Sequence, residues 1–232
     1  MLVSIIIPTY NEEKTILPLL SYLKKHSDER LAEIIVVDGG SRDHTVEIVK
    51  SAGFTCIVSE KKGRAAQMNS GYRISVGELL YFVHADSFPP VSYLDDLFNA
   101  INEGYEAGCY RFRFDSEKLF LKINSYFTRF DRIMCRGGDQ TLFITRHLFE
   151  KLRGFREDFM IMEDYDLIQK IQRSAKFKIL PKDVIVSARK YENNHYLQVN
   201  FANLVVFMMY FAGARQETMV HAYKSLIHHP KF

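Results

Sequence analysis

Apolar residues along this chain gather into short unbroken runs, and each run is followed by a stretch where they recur every three or four positions. "VSIIIP" is the first run, ending at Pro8; a continuous apolar run of this length suits a strand buried on both faces. "NEEKTILPLLSYLKK" follows, with Ile16, Leu17, Leu20 and Leu23 at helical spacing. Asn11 is placed to cap that helix, Glu12 and Glu13 suit its positive end, and Pro18 marks either a kink or a late start.

The unit then repeats. "EIIVVD" predicts a second strand and "RDHTVEIVKSAG" a second helix stopped by Gly53, with Ser41 or Asp43 available as its cap. "FTCIVS" is a third strand, "GRAAQMNSGYRISV" a third helix ending near Gly77, and "ELLYFVHAD" a fourth strand. Strands alternating with helices of this length imply right-handed crossovers and a largely parallel sheet. Beyond residue 90 the alternation loosens. "VSYLDDLFNAINEG" reads as a helix, "GCYRFRFD" as an antiparallel strand, and "KLFLKINSYFTRFDRIM" as one long aromatic-rich helix. "QTLFIT" is a strand, "EDYDLIQKIQRS" a helix, "FKILP" and "DVIVSA" two short strands, and the last 40 residues are helical and amphipathic.

With no linker, repeat or low-complexity segment, residues 1–232 form a single α/β domain. It divides into a nucleotide-binding-type half (1–90), a looser half (91–190) and C-terminal helices (191–232).

Composition adds bounds. The 232 residues carry a net charge of +3, which gives no reason to expect a nucleic-acid partner. The three cysteines have no metal-like spacing, and Met1 leads almost directly into a strand; both features favour a cytoplasmic protein. "LVVFMMYFAGA" (204–214) is 11 residues long, short of the roughly 20 that span a bilayer. It reads as a core helix or, with residues 199–214, as a helix at the inner membrane face or in a homodimer contact.

Ligands of open parallel sheets bind at the carboxyl ends of the strands. Pro8-Thr9-Tyr10, Asp38-Gly39-Gly40 and His84-Ala85-Asp86 all fall at such ends and should share one rim. Asp38 precedes two glycines, which let a ligand approach the backbone closely. Gly63 opens the third helix and sets Arg64 in its first turn, where a cation opposes the dipole; an anionic phosphate is a fitting partner. Asp86 offers carboxylate oxygens of the kind Mg²⁺ or Mn²⁺ takes beside phosphate oxygens and water, and His84 could add a nitrogen ligand that Mn²⁺ tolerates. "FMIMEDYDL" crowds Glu163, Asp164 and Asp166 at a helix start, where mutual repulsion should raise at least one pKa and suit a general base. Each feature also has a plain structural reading as a turn, a surface arginine or an ordinary acidic helix start. "RGGDQTLF" reads as a flexible or close-approach loop. Neither a G-x-G-x-x-G fingerprint nor a P-loop is present.

Taken in order, "SIIIPTYNEE", "IIVVDGGSRDHT", "GRAAQMNSG", "FVHADSFPP", "GGDQ" and "MEDYDL" resemble the family 2 glycosyltransferases of GT-A fold, over roughly residues 3–175. The likeness is greatest to a small bacterial subgroup with "VDGGS", "GRAxQMN" and "HAD", and "VSARKYENN" extends it almost to the C-terminus. The resemblance implies an inverting transferase acting on a nucleoside-diphosphate sugar, a UDP-sugar foremost, with a hydroxyl acceptor left unnamed. Pro8, Thr9 and Glu12 would line the nucleotide pocket, Asp38 would lie near the base or ribose, and Arg64 would contact base or diphosphate. Asp86, with His84, would hold Mn²⁺ or Mg²⁺, and Asp164 beside Glu163 would be the base. The sequence departs from the family at Gly39, where an acid is usual, and at His84, where the first Asp of D-x-D is usual. "SARKY" lacks the Gln of the processive members' Q-x-x-R-W. Two rivals are a sugar nucleotidyltransferase, whose basic glycine-rich loop is replaced here by "PTYNEEK", and a non-catalytic nucleotide-sugar binder or scaffold.

Overall fold

The computed structural model describes residues 1–136 and 140–228. One eight-stranded sheet organises them, in the order β3-β2-β1-β4-β7-β6-β8-β5. The repeating half supplies β1 (Val3–Thr9), β2 (Leu31–Asp38), β3 (Thr55–Val58) and β4 (Leu79–Phe82), all mutually parallel. The looser half adds β5 (Ser87–Phe88), β6 (Ala107–Phe114), β7 (Leu142–Thr145) and β8 (Phe177–Val186). Here β7 runs antiparallel to β4 and β6, β8 parallel to β6, and β5 antiparallel to β8. The GT-A-type α/β architecture anticipated from the motif order is therefore present.

Side chains of a strand alternate between faces, and the two main cores follow that alternation. Val3, Ile5, Ile7, Ile34, Val36, Leu79 and Tyr81 join one cluster, with α1 (Ile16–Lys25) and α4 (Tyr93–Asn102) packed on them. Ile6, Ile35, Val37, Leu80 and Phe82 face the other, under α3 (Arg64–Ile74), α6 (Arg146–Lys151) and α7 (Glu163–Ser174). This two-sided burial is why the strands read as unbroken apolar runs. Helix α2 (Thr45–Ser51) lies beside α1, and α5 (Leu119–Phe127) against β6. At the C-terminus α8 (Tyr196–Phe211) and α9 (Gln216–Leu226) pack together, and Val206 and Met219 bury Ile161 just before α7. Among the described residues no helix is long and apolar enough to cross a membrane.

Four sequence expectations are corrected. Helix α1 starts at Ile16, not after Asn11. Asn11 instead adopts a left-handed backbone (φ 53°), and its side chain accepts from the Arg42 amide. Pro18 then falls in the first turn, where its missing N–H costs nothing. The fourth strand ends at Phe82; Asp86 lies in the turn joining β4 to β5, closed by the Ser87 amide on the His84 carbonyl at 3.0 Å. The long helix after residue 117 stops at Phe127 because the carbonyls of Thr128 and Phe130 turn to the Arg136 guanidinium. "FKILP" and "DVIVSA" form one strand, β8. Its pairing with β6 jumps from Leu180 to Asp183, so Pro181, which cannot donate to a ladder, sits in a bulge.

Candidate functional site

The rim is built by loops that bond to one another. Gly39 N donates to the Thr9 carbonyl (2.8 Å), Ser59 N to the Asp38 carbonyl (2.8 Å) and Val83 N to the Ile6 carbonyl (3.1 Å), which ties together the ends of β1 to β4. Asn11 N donates to Ser41 Oγ, and Glu12 N to Thr45 Oγ1, each at 2.8 Å. Pro8 and Thr9 are buried within β1, and the Thr9 hydroxyl lies 3.4 Å from the Val37 carbonyl. Asp38 is buried: it accepts from the amides of Gly40 and Ser41, both at 2.8 Å, and from the Ser41 hydroxyl. Its carboxylate holds the shape of the Gly39-Gly40 turn.

The "GRAAQMN" stretch has a structural logic invisible in the sequence. Gly63 has φ 110°, a conformation open to glycine, and it begins α3. One turn on, Gln67 donates its amide to the carbonyls of Thr9 (2.7 Å) and Val37 (2.8 Å). A Cβ on Gly39 would come within 3.0 Å of the same amide nitrogen, so a residue without a side chain stands where an acid was expected. Asn69 clamps the segment before α7 through Phe155, donating to its carbonyl (2.9 Å) and accepting from its amide (3.1 Å). Lys61, Asn69 and Arg73 surround Glu157, and the Lys61 ammonium foremost holds its carboxyl down, from 4.5 to about 2.

Two charged clusters result. In the first, Arg189 Nη2 donates to Asp86 Oδ2 (2.8 Å) and contacts Glu12 Oε2 (3.0 Å) and Oε1 (3.3 Å). The Glu12 side chain is fully buried and also accepts from the Thr15 hydroxyl (2.7 Å). Burial opposes the Arg189 charge, but Asp86 and Glu12 outweigh it, and the guanidinium pKa stands above its ordinary value. In the second, Arg64 Nε lies 2.8 Å from Oε1 of the buried Glu163, joining the starts of α3 and α7 as an ion pair without the alignment of a directed hydrogen bond. The cation set against the dipole of α3 thus has a protein carboxylate beside it.

Asp164 is half-buried at the start of α7, and its Oδ1 accepts from the Tyr165 amide at 2.9 Å. Asp166 pairs with Lys170 at 2.6 Å. The preceding Met162 holds a left-handed backbone (φ 66°); such strain costs on the order of 1–3 kcal/mol and persists only where the surroundings fix it. The C-terminal helices supply that fixing: Gln216 Oε1 accepts from the amides of Met160 (3.0 Å) and Ile161 (3.2 Å), and Phe207 meets the Tyr165 ring edge-on. The "GGD" of the expected loop, residues 137–139, lies outside the described residues.

Of the predicted residues, Glu12 and Asp86 are brought together through Arg189, and Arg64 is paired with Glu163. Arg189 was not anticipated as a site residue, although it lies within the "VSARKYENN" segment, three residues after β8. Among the described residues no three His, Cys, Asp or Glu side chains are arranged to hold an ion. Asp86 nonetheless fits a divalent cation: it is a hard oxygen donor, its side chain is 26% exposed, and it already attracts one cation, Arg189. An ion there would need further ligands from phosphate oxygens and water.

The chain belongs to glycosyl transferase family 2, whose family profile matches residues 4–161. It is similar to an undecaprenyl-phosphate 4-deoxy-4-formamido-L-arabinose transferase of Aeromonas hydrophila, 29% identical over 114 residues, which cover 45% of this chain and 35% of the relative. A dolichyl-phosphate beta-glucosyltransferase of Trichomonas vaginalis is 34% identical over 105 residues, covering 40% and 31% respectively. The matched segments thus span about a third of each relative. In structure the chain is similar to a mannosyltransferase from Pyrobaculum calidifontis in complex with GDP-Man and Mn²⁺, with a TM-score of 0.68 at 23% identity, over 97% of this chain and 70% of that one.

Proposed function

We propose that the chain transfers a sugar from a nucleoside-diphosphate sugar to an acceptor hydroxyl, with inversion at the anomeric carbon. The observation that carries this reading is the gathering of Glu12, Asp86 and Arg189 at the rim where β1, β2 and β4 end. The nucleotide would lie over Pro8, Thr9 and Asp38, with Arg64 toward base or diphosphate and a UDP-sugar as the first donor to try. Asp86, assisted by His84, would hold Mn²⁺ or Mg²⁺. When bound, that ion supplies Lewis-acid stabilisation of the charge growing on the diphosphate. Asp164 takes the proton of the acceptor hydroxyl, whose oxygen attacks the anomeric carbon from the side opposite the diphosphate. The bond from that carbon to the diphosphate oxygen breaks, and the nucleoside diphosphate leaves with the electron pair. Glu163, held by Arg64, keeps the first turn of α7 in place for this proton transfer.

Asp164→Asn tests the assignment. Turnover should fall by about 10²–10⁴, the contribution of general acid–base catalysis, while nucleoside-diphosphate binding stays within twofold. Unchanged turnover would remove Asp164 from the role of base.

A specific observation favours a lipid-linked acceptor. Helix α8 carries no charged residue, exposes Leu197, Phe201, Leu204, Met208 and Phe211, and packs Phe207 on Tyr165, next to Asp164. The relatives named above are polyprenyl-phosphate transferases. With such an acceptor a phosphate oxygen would be the nucleophile, and α8 would rest on the membrane surface.

A further inference from the structure

We infer that Arg189 is a built-in counter-ion that a divalent cation must displace from Asp86, so that this arginine sets how strongly the site takes metal. The inference rests on the reading of Asp86 as the ion's ligand, and adds a role for a residue which that reading leaves out.

A single nitrogen of Arg189 lies within hydrogen-bond reach of two carboxylates, 2.8 Å from Asp86 and 3.0 Å from Glu12. The Asp86 oxygen it engages is a donor that a metal ion would need. A divalent cation drawn to that oxygen meets the guanidinium already seated there, and the two like charges repel each other. The competition is therefore set by geometry.

The three partners differ in freedom. Glu12 has a fully buried side chain, bonded to the Thr15 hydroxyl at 2.7 Å, and its amide is held by Thr45 at 2.8 Å. The backbone around Arg189 is also pinned. The Ala188 amide donates to Asp115 Oδ1 at 2.7 Å, and the Tyr191 ring packs on Phe114 and Tyr196. The Asp86 side chain is 26% exposed and that of Arg189 40%. The exchangeable contact is thus the outer one, Arg189 to Asp86, while Glu12 retains the guanidinium. With an ion held by Asp86, the Arg189 guanidinium would remain paired with Glu12. Proton and electron inventories do not change in this exchange.

The test is Mn²⁺ binding, read from the electron paramagnetic resonance signal of free Mn²⁺, with Mn²⁺ alone and with inorganic pyrophosphate added. Wild type, Arg189→Gln, Arg189→Lys and Asp86→Ala are compared. Arg189→Gln should bind Mn²⁺ alone about tenfold or more tightly than wild type, the direction set by removing a competing cation. Arg189→Lys should lie between them, and Asp86→Ala should lose binding in both conditions. Because Arg189→Gln removes a cation from beside the buried Glu12, Glu12→Gln/Arg189→Gln is measured in parallel and should also bind more tightly than wild type. If Asp86→Ala loses binding but neither Arg189 variant gains it, the counter-ion role is overturned and the ion-ligand reading stands. If Asp86→Ala binds Mn²⁺ and pyrophosphate as wild type does, the ion-ligand reading itself fails, and the inference with it.

Discussion

Arg64 and Glu163 meet at 2.8 Å and tie the first turn of α3 to the first turn of α7. Glu163 is 1% exposed, and the Arg64 side chain is 43% exposed. Removing one partner of a buried pair strands the other charge, at about 3–5 kcal/mol when both are enclosed. With one end open to solvent, Arg64→Met should cost about 1–3 kcal/mol, read from urea unfolding. The double variant Arg64→Met/Glu163→Gln should recover part of that loss. A single-variant cost under about 0.5 kcal/mol, the range of an ordinary surface substitution, would count against the pair as the tie between the two helices.

Gly39 and Gln67 make a second, separable prediction. A Cβ at Gly39 would lie 3.0 Å from a Gln67 nitrogen that is already committed to two carbonyls. Gly39→Ala should therefore cost about 1–3 kcal/mol, the usual range for overpacking. In a Gln67→Ala background the same substitution should be nearly neutral, because the obstacle is gone. Equal costs in both backgrounds would place the strain elsewhere.

Glu157 predicts an acid limb. Its carboxyl is held at about 2, below the ordinary 4.5, by Lys61, Asn69 and Arg73. A depressed folded-state pKa contributes stability that is fully present above the unfolded value and is lost as pH falls through the folded one. The melting temperature should thus drop between pH 4.5 and about 2, and Glu157→Gln should flatten part of that drop. Parallel wild-type and variant curves across this window would contradict the assignment.

The exposed face of α8 separates stability from surface binding. Leu204, Met208 and Phe211 are 56%, 62% and 52% exposed, so serine at all three should change stability by no more than about 0.5 kcal/mol per site. Co-sedimentation with phosphatidylglycerol vesicles should fall in the triple variant. Unchanged sedimentation would remove α8 from the membrane reading.

Much of this was legible in the chain. The parallel half announced itself because strands buried on both faces are unbroken apolar runs, and the bounds of α7 followed directly from "EDYDLIQKIQRS". Asp38, Asp86 and Asp164 were visible because turns after strands and acidic helix starts leave local signatures. What stayed hidden depends on contacts between distant segments. Arg189 reaches Asp86 across 103 positions, and no local pattern encodes that. Gln67 serves carbonyls of β1 and β2 at positions 58 and 30 residues away. The bulge that merges two expected strands into β8 lies at Pro181, the residue that made them look separate. The support of Met162 by α8 and α9 is likewise a tertiary override of a strained backbone.

Thermal unfolding tests the proposed donor site at the rim of β1, β2 and β4. Nucleoside diphosphates and their sugars would be compared with and without Mn²⁺, on wild type and Asp86→Ala. A ligand at 100 times its dissociation constant should stabilise the fold by about 2.7 kcal/mol. One base series should respond, the shift should need Mn²⁺, and it should be lost in Asp86→Ala. A shift that persists in Asp86→Ala, or no shift with any nucleotide, would contradict that proposal.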